Sequence, residues 1–387
     1  MKENKVLHIT NIASLYRKSQ WAKLVAHPTM DYHFVFGENP FSGIKVINVE
    51  APPFSDHSSK IHSVTNFWVK QKYLIWQSGV IKKCLTTNAS LVILLGEFNV
   101  LSNWIATVIC RFRGIRVVYR GHGMYGNEKG LKYWLRKINY KMASAHLVYE
   151  RRGKSILVSE GFNKDDIHII FNSLDYEVHK KDRPRLQHLN KMDTYPFFDN
   201  PGLPTLIFIG RLTPVKKLHL LLEAKSALDS EKWACNLLIV GDGPMKLELE
   251  SYARENLKPG SFHFYGACYD DETNSALLAC ADACVSPGNV GLTAIHSLSY
   301  GTPVITHGNF ENQMPEVEAI TENKTGLFFE ENNSHDMALK IKHWLNMAPK
   351  DRNVTREHCY QIIDRYYNPD YQVKVLENLV CGKKPLV

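Results

Sequence analysis

The chain has 387 residues, 44% of them hydrophobic and 22% charged, with a net charge of +8. This length is too great for one ordinary core and fits two domains of roughly 150–200 residues; the composition is in the globular range. No run approaches the ~20 apolar residues of a membrane-spanning helix, which excludes an integral membrane protein of that kind.

The N-terminal stretch MKENKVLHITNI has no apolar signal core and reads as the first strand of a cytosolic protein. Eight cysteines, at 84, 110, 235, 268, 280, 284, 359 and 381, are scattered without a CxxC pair. They read as buried thiols of a reducing compartment, with no metal site expected. The charge is uneven. Residues 1–150 hold 20 Lys+Arg against 8 Asp+Glu, and the remainder 27 against 31. A basic front half calls for an anionic partner.

In chain order, Lys5–Ile12 and Tyr32–Phe36 read as strands, and Val46–Val49 as a third. The segment 65–85 has the length and spacing of a helix. Leu91–Leu95 (LVILL) is a continuous apolar run, as in a strand buried on both faces. A helix over Val100–Phe112, a strand over Arg116–Tyr119, a helix over Lys129–Ala145 and strands at His146–Tyr149 and His168–Phe171 follow. Residues 176–204, rich in charge, Pro, Asn and Asp, read as a linker. A second alternating series begins at Thr205. Its strands are Thr205–Ile209, Asn236–Val240, Phe262–Tyr265 and Ala283–Ser286, and helices lie between them and around His335–Trp344, Arg352–Tyr366 and Tyr371–Leu379. The alternation predicts an α/β protein of two doubly wound, Rossmann-like domains, 1–175 and 205–365. The default site is the interdomain cleft at the carboxyl ends of the strands.

Four strand ends in the second domain carry turn glycines. In FIGRLTPVKK, Gly210 is followed by Arg211 and Lys216, two cations able to clamp a diphosphate. VGDGP supplies Gly241 and Gly243, and FHFYG ends at Gly266. SPGNVGLTAIHSLSYGTP places a helix start near Gly291, after Pro287 and Gly288. The first amides of such a helix lack internal partners and suit a phosphate; a tight turn packing helix on strand is the plainer reading.

These motifs in this order resemble the large retaining family four of GT-B glycosyltransferases. GRL with Lys216, VGDGP, FYG, ADACVSPG, GLTAIHSLSYGTPVI, Pro315-Glu316 and NKTGLFF carry the likeness in the back half, and YRGHG (Tyr119–Gly123) and NSLD (Asn172–Asp175) in the front. The resemblance implies the GT-B fold, with a nucleotide-diphosphate sugar as donor, no cofactor and no metal. It implies that Arg211 and Lys216 neutralise the leaving diphosphate and that the amides around Gly291–Thr293, with Gly210, Gly241, Gly243, Asn289, Val290 and Leu292 nearby, hold the donor. His122 would reach the donor sugar. The final segment, 366–387, would pack back on the first domain.

Family members usually carry two glutamates where this chain has Gly288 and His296. A differently built donor site, a donor with no ribose 2′-hydroxyl, and a non-catalytic member are the three readings of that loss. His296 could hydrogen-bond a ribose or simply pack its helix; Asn289, Glu311 or Glu316 could serve the sugar. On the acceptor side, Tyr16 and Arg17 either bind an anionic acceptor or open a solvated helix, and Glu97 and Asn99 end a strand as acceptor ligands, Glu97 also as a base. Finally, residues 128–145 mix Lys129, Lys132, Arg136, Lys137 and Lys141 with Leu131, Trp134 and Ile138. That suits an anionic membrane surface, or else a core helix with a charged outer face; no nucleic-acid motif accompanies the charge. The expected activity is transfer of a sugar to a cell-surface glycan acceptor of capsule, O-antigen or exopolysaccharide type, possibly lipid-linked, by a peripheral enzyme at the inner face of a bacterial membrane. A nucleotide-sugar epimerase of the same fold and a non-catalytic assembly protein are the alternatives.

Overall fold

The computed structural model describes residues 4–38, 44–69, 73–347 and 352–387. They divide into two compact units, Met1–Asp175 with Asn368–Val387, and Tyr176–Tyr367.

The front unit runs β1 (Lys5–Thr10), α1 (Lys18–Val25), β2 (Asp31–Gly37), β3 (Ile61–Val64), β4 (Asn66–Val69), β5 (Leu74–Gln77), α2 (Val80–Thr86), β6 (Leu91–Leu95), α3 (Leu101–Phe112), β7 (Arg116–Gly121), α4 (Gly130–Lys141), β8 (Ala145–Val148), α5 (Arg151–Ser159) and β9 (Ile167–Ile169). Seven strands form one parallel sheet in the order β3-β2-β1-β6-β7-β8-β9. Central β6 is apolar throughout because helices cover both faces of the sheet. Two elements differ from the sequence reading. The segment 65–85 is not one helix: β4 and β5 pair antiparallel, Phe67 opposite Trp76, before the short α2. Residues 70–72 lie outside the described residues. The aromatic and β-branched run Phe67-Trp68-Val69 favours a strand, and Asn66 and Gln77 anchor the hairpin by donating to the carbonyls of Asn11 (2.9 Å) and Thr10 (3.3 Å) at the end of β1. Val46–Val49 forms no strand; Val46 makes an isolated bridge to Ser14, and the edge position belongs to β3.

The back unit runs α6 (Tyr176–Leu186), α7 (Lys191–Thr194), β10 (Thr205–Ile209), α8 (Leu218–Ser230), β11 (Asn236–Val240), α9 (Lys246–Asn256), β12 (Phe262–Gly266), α10 (Asp271–Cys280), β13 (Ala283–Ser286), α11 (Leu292–Ser299), β14 (Val304–His307), β15 (Gly326–Phe329), α12 (Ser334–Met347) and α13 (Arg352–Tyr366). Its six strands are parallel in the order β12-β11-β10-β13-β14-β15. Residues 176–204 are not a bare linker. Their polar residues have local work: Asn190 caps α7, Arg183 holds Asp364 with two hydrogen bonds of 2.8 and 2.7 Å, and buried Tyr195 donates to the Leu277 carbonyl. After the back unit, α14 (Pro369–Val380) belongs with the front one. Asn368 caps it and Pro369 opens it, and Val375, Leu376 and Leu379 join the core beside Trp21 and Leu24 of α1.

Strand order reverses between β1 and β6 in one sheet and between β10 and β13 in the other. Crevices beyond the carboxyl ends of those strands are where doubly wound sheets hold ligands.

Candidate functional site

In the back unit, β10 ends at Ile209 and β13 at Ser286, the two strands of the switch point. Gly210, Gly241 and Gly243 are explained first by backbone packing. A Cβ on Gly241 would lie 1.9 Å from the Gly210 carbonyl oxygen, and one on Gly243 would lie 2.4 Å from that of Leu212. The turns after β10 and β11 are thereby pressed together, joined by Gly210 N to Val240 O at 3.0 Å and Leu212 N to Asp242 O at 2.9 Å. These glycines set the height of the platform on which Arg211 stands. Arg211 is exposed and has no ion-pair partner among the described residues.

Lys216 is differently placed. Its Nζ donates to the Asn289 carbonyl (2.6 Å) and to Asn289 Oδ1 (3.0 Å). Burial pulls its pKa down, against the field of Glu316, and Arg211 lowers it further. Lys216, Glu316 and Arg211 thus act on one another electrostatically. Glu316 is buried on the 3-10 turn Pro315–Ala319, whereas Glu311 is exposed on the turn Phe310–Asn312.

The loop before α11 is held from both sides. Gly288 N donates to Lys216 O at 3.0 Å, and Val290 N donates to Gln313 Oε1 at 2.9 Å. The Val290 amide is therefore spent inside the protein, which removes it from the predicted set of phosphate donors. Gln313 in turn donates to Thr306 Oγ1 (2.9 Å) and the His307 carbonyl (3.1 Å). Gly291 takes a left-handed φ of 55° and opens α11. The amides of Leu292 and Thr293 come first in the helix and have no partner within it, while the Thr293 hydroxyl donates to the Ile209 carbonyl at 3.2 Å. One turn on, the His296 ring lies 5.7 Å from His179 and 5.3 Å from Tyr300, and burial pushes its pKa to about 4. It is a neutral imidazole in an aromatic cluster, as the packing reading expects; its role toward a ribose is a separate matter.

The front unit carries its own cluster. His122 follows β7 and packs edge-on against Tyr149 at 5.2 Å. Burial, then the charges of Arg17 and Arg136, push its pKa to about 4, so near neutral pH it is an uncharged donor and acceptor. The two loops beside it are tied together: Gly123 N donates to Tyr140 Oη at 3.1 Å, and Tyr140 donates to the Gly96 carbonyl at 2.8 Å. Glu97 lies 3.2 Å from Arg136 Nη1; burial raises its pKa although Arg136 opposes this. Asn99 donates to the Tyr73 carbonyl at 2.6 Å. Tyr16 and Arg17 stack, and Arg17 donates to Tyr149 Oη at 2.9 Å.

One residue of the predicted membrane face is misplaced. Arg136 is buried, bonded to Glu128 at 2.7 Å as well as to Glu97. Lys137 pairs with Glu160 at 2.7 Å. The outer surface of α4 is instead Leu131, Trp134, Leu135 and Ile138, with Lys129, Lys132 and Lys141 exposed beside them. No described helix is long and apolar enough to cross a membrane, and no group of three or more His, Cys, Asp or Glu among the described residues could hold a metal ion.

Sequence reasoning missed Gln313 and Thr306, which hold the loop before α11, and Arg120 and Tyr149 behind Arg17. The available signal for Arg120 was its place inside an otherwise apolar strand, RVVYRG.

Comparison with known proteins bears on the family and the fold. The sequence model of the family described as glycosyl transferases group 1 matches residues 197–360. The chain is 29% identical over 184 residues to a glycogen synthase of Hydrogenovibrio crunogenus, which covers 44% of this chain. It is 28% identical over 193 residues to the alpha-monoglucosyldiacylglycerol synthase of Streptococcus pneumoniae, covering 48%. It spans only 37% and 42% of those relatives' own lengths. Among solved structures, a glycosyltransferase from Rickettsia africae superposes with a TM-score of 0.70 at 16% identity, covering 99% of both chains. The lipopolysaccharide outer core galactosyltransferase WaaB superposes at 0.67 and 14%, covering 98% of this chain and 99% of its own. HepE of Anabaena in complex with UDP superposes at 0.68 and 14%, covering 97% and 100%. The chain thus has the GT-B fold, and its residues 197–360 match the sequence model of the glycosyl transferases group 1 family.

Proposed function

We propose that this chain is a glycosyltransferase that moves a sugar from a nucleotide-diphosphate donor, bound by the back unit, to a glycan acceptor bound by the front unit. The observation that carries this reading is the cation set at the β10/β13 switch point. Arg211 is exposed and unpaired among the described residues, Lys216 braces the loop before α11, and the first amides of α11 follow. Two cations and a helix start supply the charge that a diphosphate leaving group needs, without a metal. Asn289, Gly291, Leu292 and Thr293 line the donor in this reading, and Glu316 is the carboxylate nearest in field to Lys216. His122, neutral at working pH, hydrogen-bonds the donor sugar, and Glu97, its pKa raised, is the acceptor-side base. Retention of configuration rests on the resemblance alone.

The acceptor is a cell-surface glycan, lipid-linked, met at an anionic membrane. Two exposed apolar stripes support this: Leu131, Trp134 and Ile138 on α4, and Leu101, Ile105, Val108 and Phe112 at helical spacing on α3. Basic residues flank both.

Calorimetric titration of UDP, GDP and dTDP, without metal, tests the donor site. One nucleotide binds the wild type, and Arg211→Ala weakens it by about 10- to 100-fold, the worth of a charge-assisted contact. Binding that is unchanged in Arg211→Ala, or binding of none of the three to the wild type, would refute the assignment.

A further inference from the structure

Arg17 and Arg120 share one ring: their guanidinium carbons lie 5.3 and 5.7 Å from the Tyr149 centroid. Arg120 is 2% exposed. Its Nη2 donates to Gln20 Oε1, at 3.1 Å, and its Nε and Nη1 are buried with no partner among the described residues. Arg17 reaches the surface, but its Nε is also buried without a partner. Neither forms an ion pair among the described residues. Elsewhere, buried Arg136 is compensated by Glu97 and Glu128, and Arg183 by Asp364. Buried charge without a counter-charge is strongly unfavourable; here Arg120 is fully buried and the half-buried Arg17 stands beside it. The surrounding groups record the resulting potential. Burial raises the Tyr149 phenol, yet Arg17 and Arg120 outweigh it and bring the net below its ordinary value; His8, whose Nδ1 lies 3.1 Å from Tyr32 Oη, is held neutral by burial and then by the same two cations.

We propose that this arginine pair is the binding site for a phosphoryl group of the front unit's ligand. Arg17 makes the contact with its planar fork, Tyr149 orients it, and Arg120 behind them supplies the second charge. The site lies beyond the carboxyl ends of β1, β7 and β8, next to His122. It therefore specifies, within the glycosyltransferase reading on which it rests, an acceptor that carries a phosphate. A phosphoryl group suits two cations better than a single carboxylate because it presents more oxygens and more charge.

The test is thermal unfolding of the full chain in Arg211→Ala, which silences the exposed cation of the back unit, titrated with inorganic phosphate against chloride at equal ionic strength. Phosphate raises Tm by about 3 °C at ten times its Kd, and adding Arg17→Gln removes that rise. A rise that survives Arg17→Gln, or no rise at all, overturns the proposal. Arg17→Lys guards against misfolding: it keeps the charge but loses the fork, so the rise shrinks without vanishing, and an undiminished rise overturns the assignment of the fork. Short-chain phosphatidic acid and methyl phosphate separate the sources. A larger shift with the lipid identifies a lipid phosphate, and equal shifts identify a phosphate on a soluble glycan. Nucleotide titration of the Arg17→Gln chain keeps the two readings apart, since failure of the donor site leaves the phosphate effect in place, and the reverse.

Discussion

At position 288, where the family resemblance implies a glutamate, this chain has glycine for a steric reason. A Cβ there would stand 2.1 Å from the Val215 carbonyl oxygen and 2.9 Å from Lys216 Cα. The turn carrying Lys216 has closed directly onto residue 288, and no side chain fits between. Gly288→Ala is expected to cost about 1–3 kcal/mol through overpacking, seen as a lowered midpoint in thermal or urea unfolding. Gly288→Glu should destabilise at least as much without tightening nucleotide binding. A Gly288→Glu chain that melts like the wild type and binds nucleotide better would show that the carboxylate is merely missing. At 296 the reason differs, because the imidazole fills an aromatic cluster with His179 and Tyr300. Both departures are visible in the sequence. The causes are not, because they depend on the Val215–Lys216 backbone at one site and on the ring of His179 at the other, both remote in the chain.

At the scale of elements, α4 shows what helical spacing leaves open. Its basic and aromatic residues can be counted from the sequence, but which cation turns inward depends on where carboxylates lie on other segments. Glu97 follows β6 and Glu128 precedes α4, and together they draw Arg136 into the protein. Arg136→Ala leaves two partly or fully buried carboxylates unpaired and should cost about 3–5 kcal/mol. Lys132→Ala should leave stability within about 0.5 kcal/mol. The membrane assay should rank the same residues in reverse. Flotation with anionic vesicles falls for Trp134→Ala and for Lys132→Ala, and recovery independent of anionic lipid would end the docking idea. The hairpin β4–β5 is a second such case. A run with aromatic residues near helical spacing became a strand pair because Asn66 and Gln77 are fixed by the carbonyls at the end of β1, a contact no local pattern contains.

Over the whole molecule, acid sensitivity should come from histidines rather than carboxylates first. Burial holds His122, His146, His168 and His296 at about 4 and His179 at about 3, all below the ordinary 6.5. Between about 4 and 6.5 the unfolded chain therefore binds more protons than the folded one, so stability falls as pH drops through that window. Glu97, whose pKa is raised, opposes this with a single group. Thermal midpoints measured from pH 7.5 down to 4.5 should decline steadily below about pH 6.5. A flat or rising profile would mean that these imidazoles are hydrated in solution.

What the sequence by itself determined was the plan. Alternating apolar runs and helical periods required two parallel sheets, and glycines at strand ends beside Arg211 and Lys216 marked one crevice, because strand burial and turn geometry are written in local residue order. Tertiary structure alone decided how those residues are used. It assigned 176–204 to the back unit, spent the Val290 amide on Gln313, turned Arg136 inward and gathered Arg17, Arg120 and Tyr149 around one ring. Most of these outcomes bring together polar groups carried by different elements of the fold. Such pairs are selected by desolvation, which acts only after the fold has determined which groups share an interior.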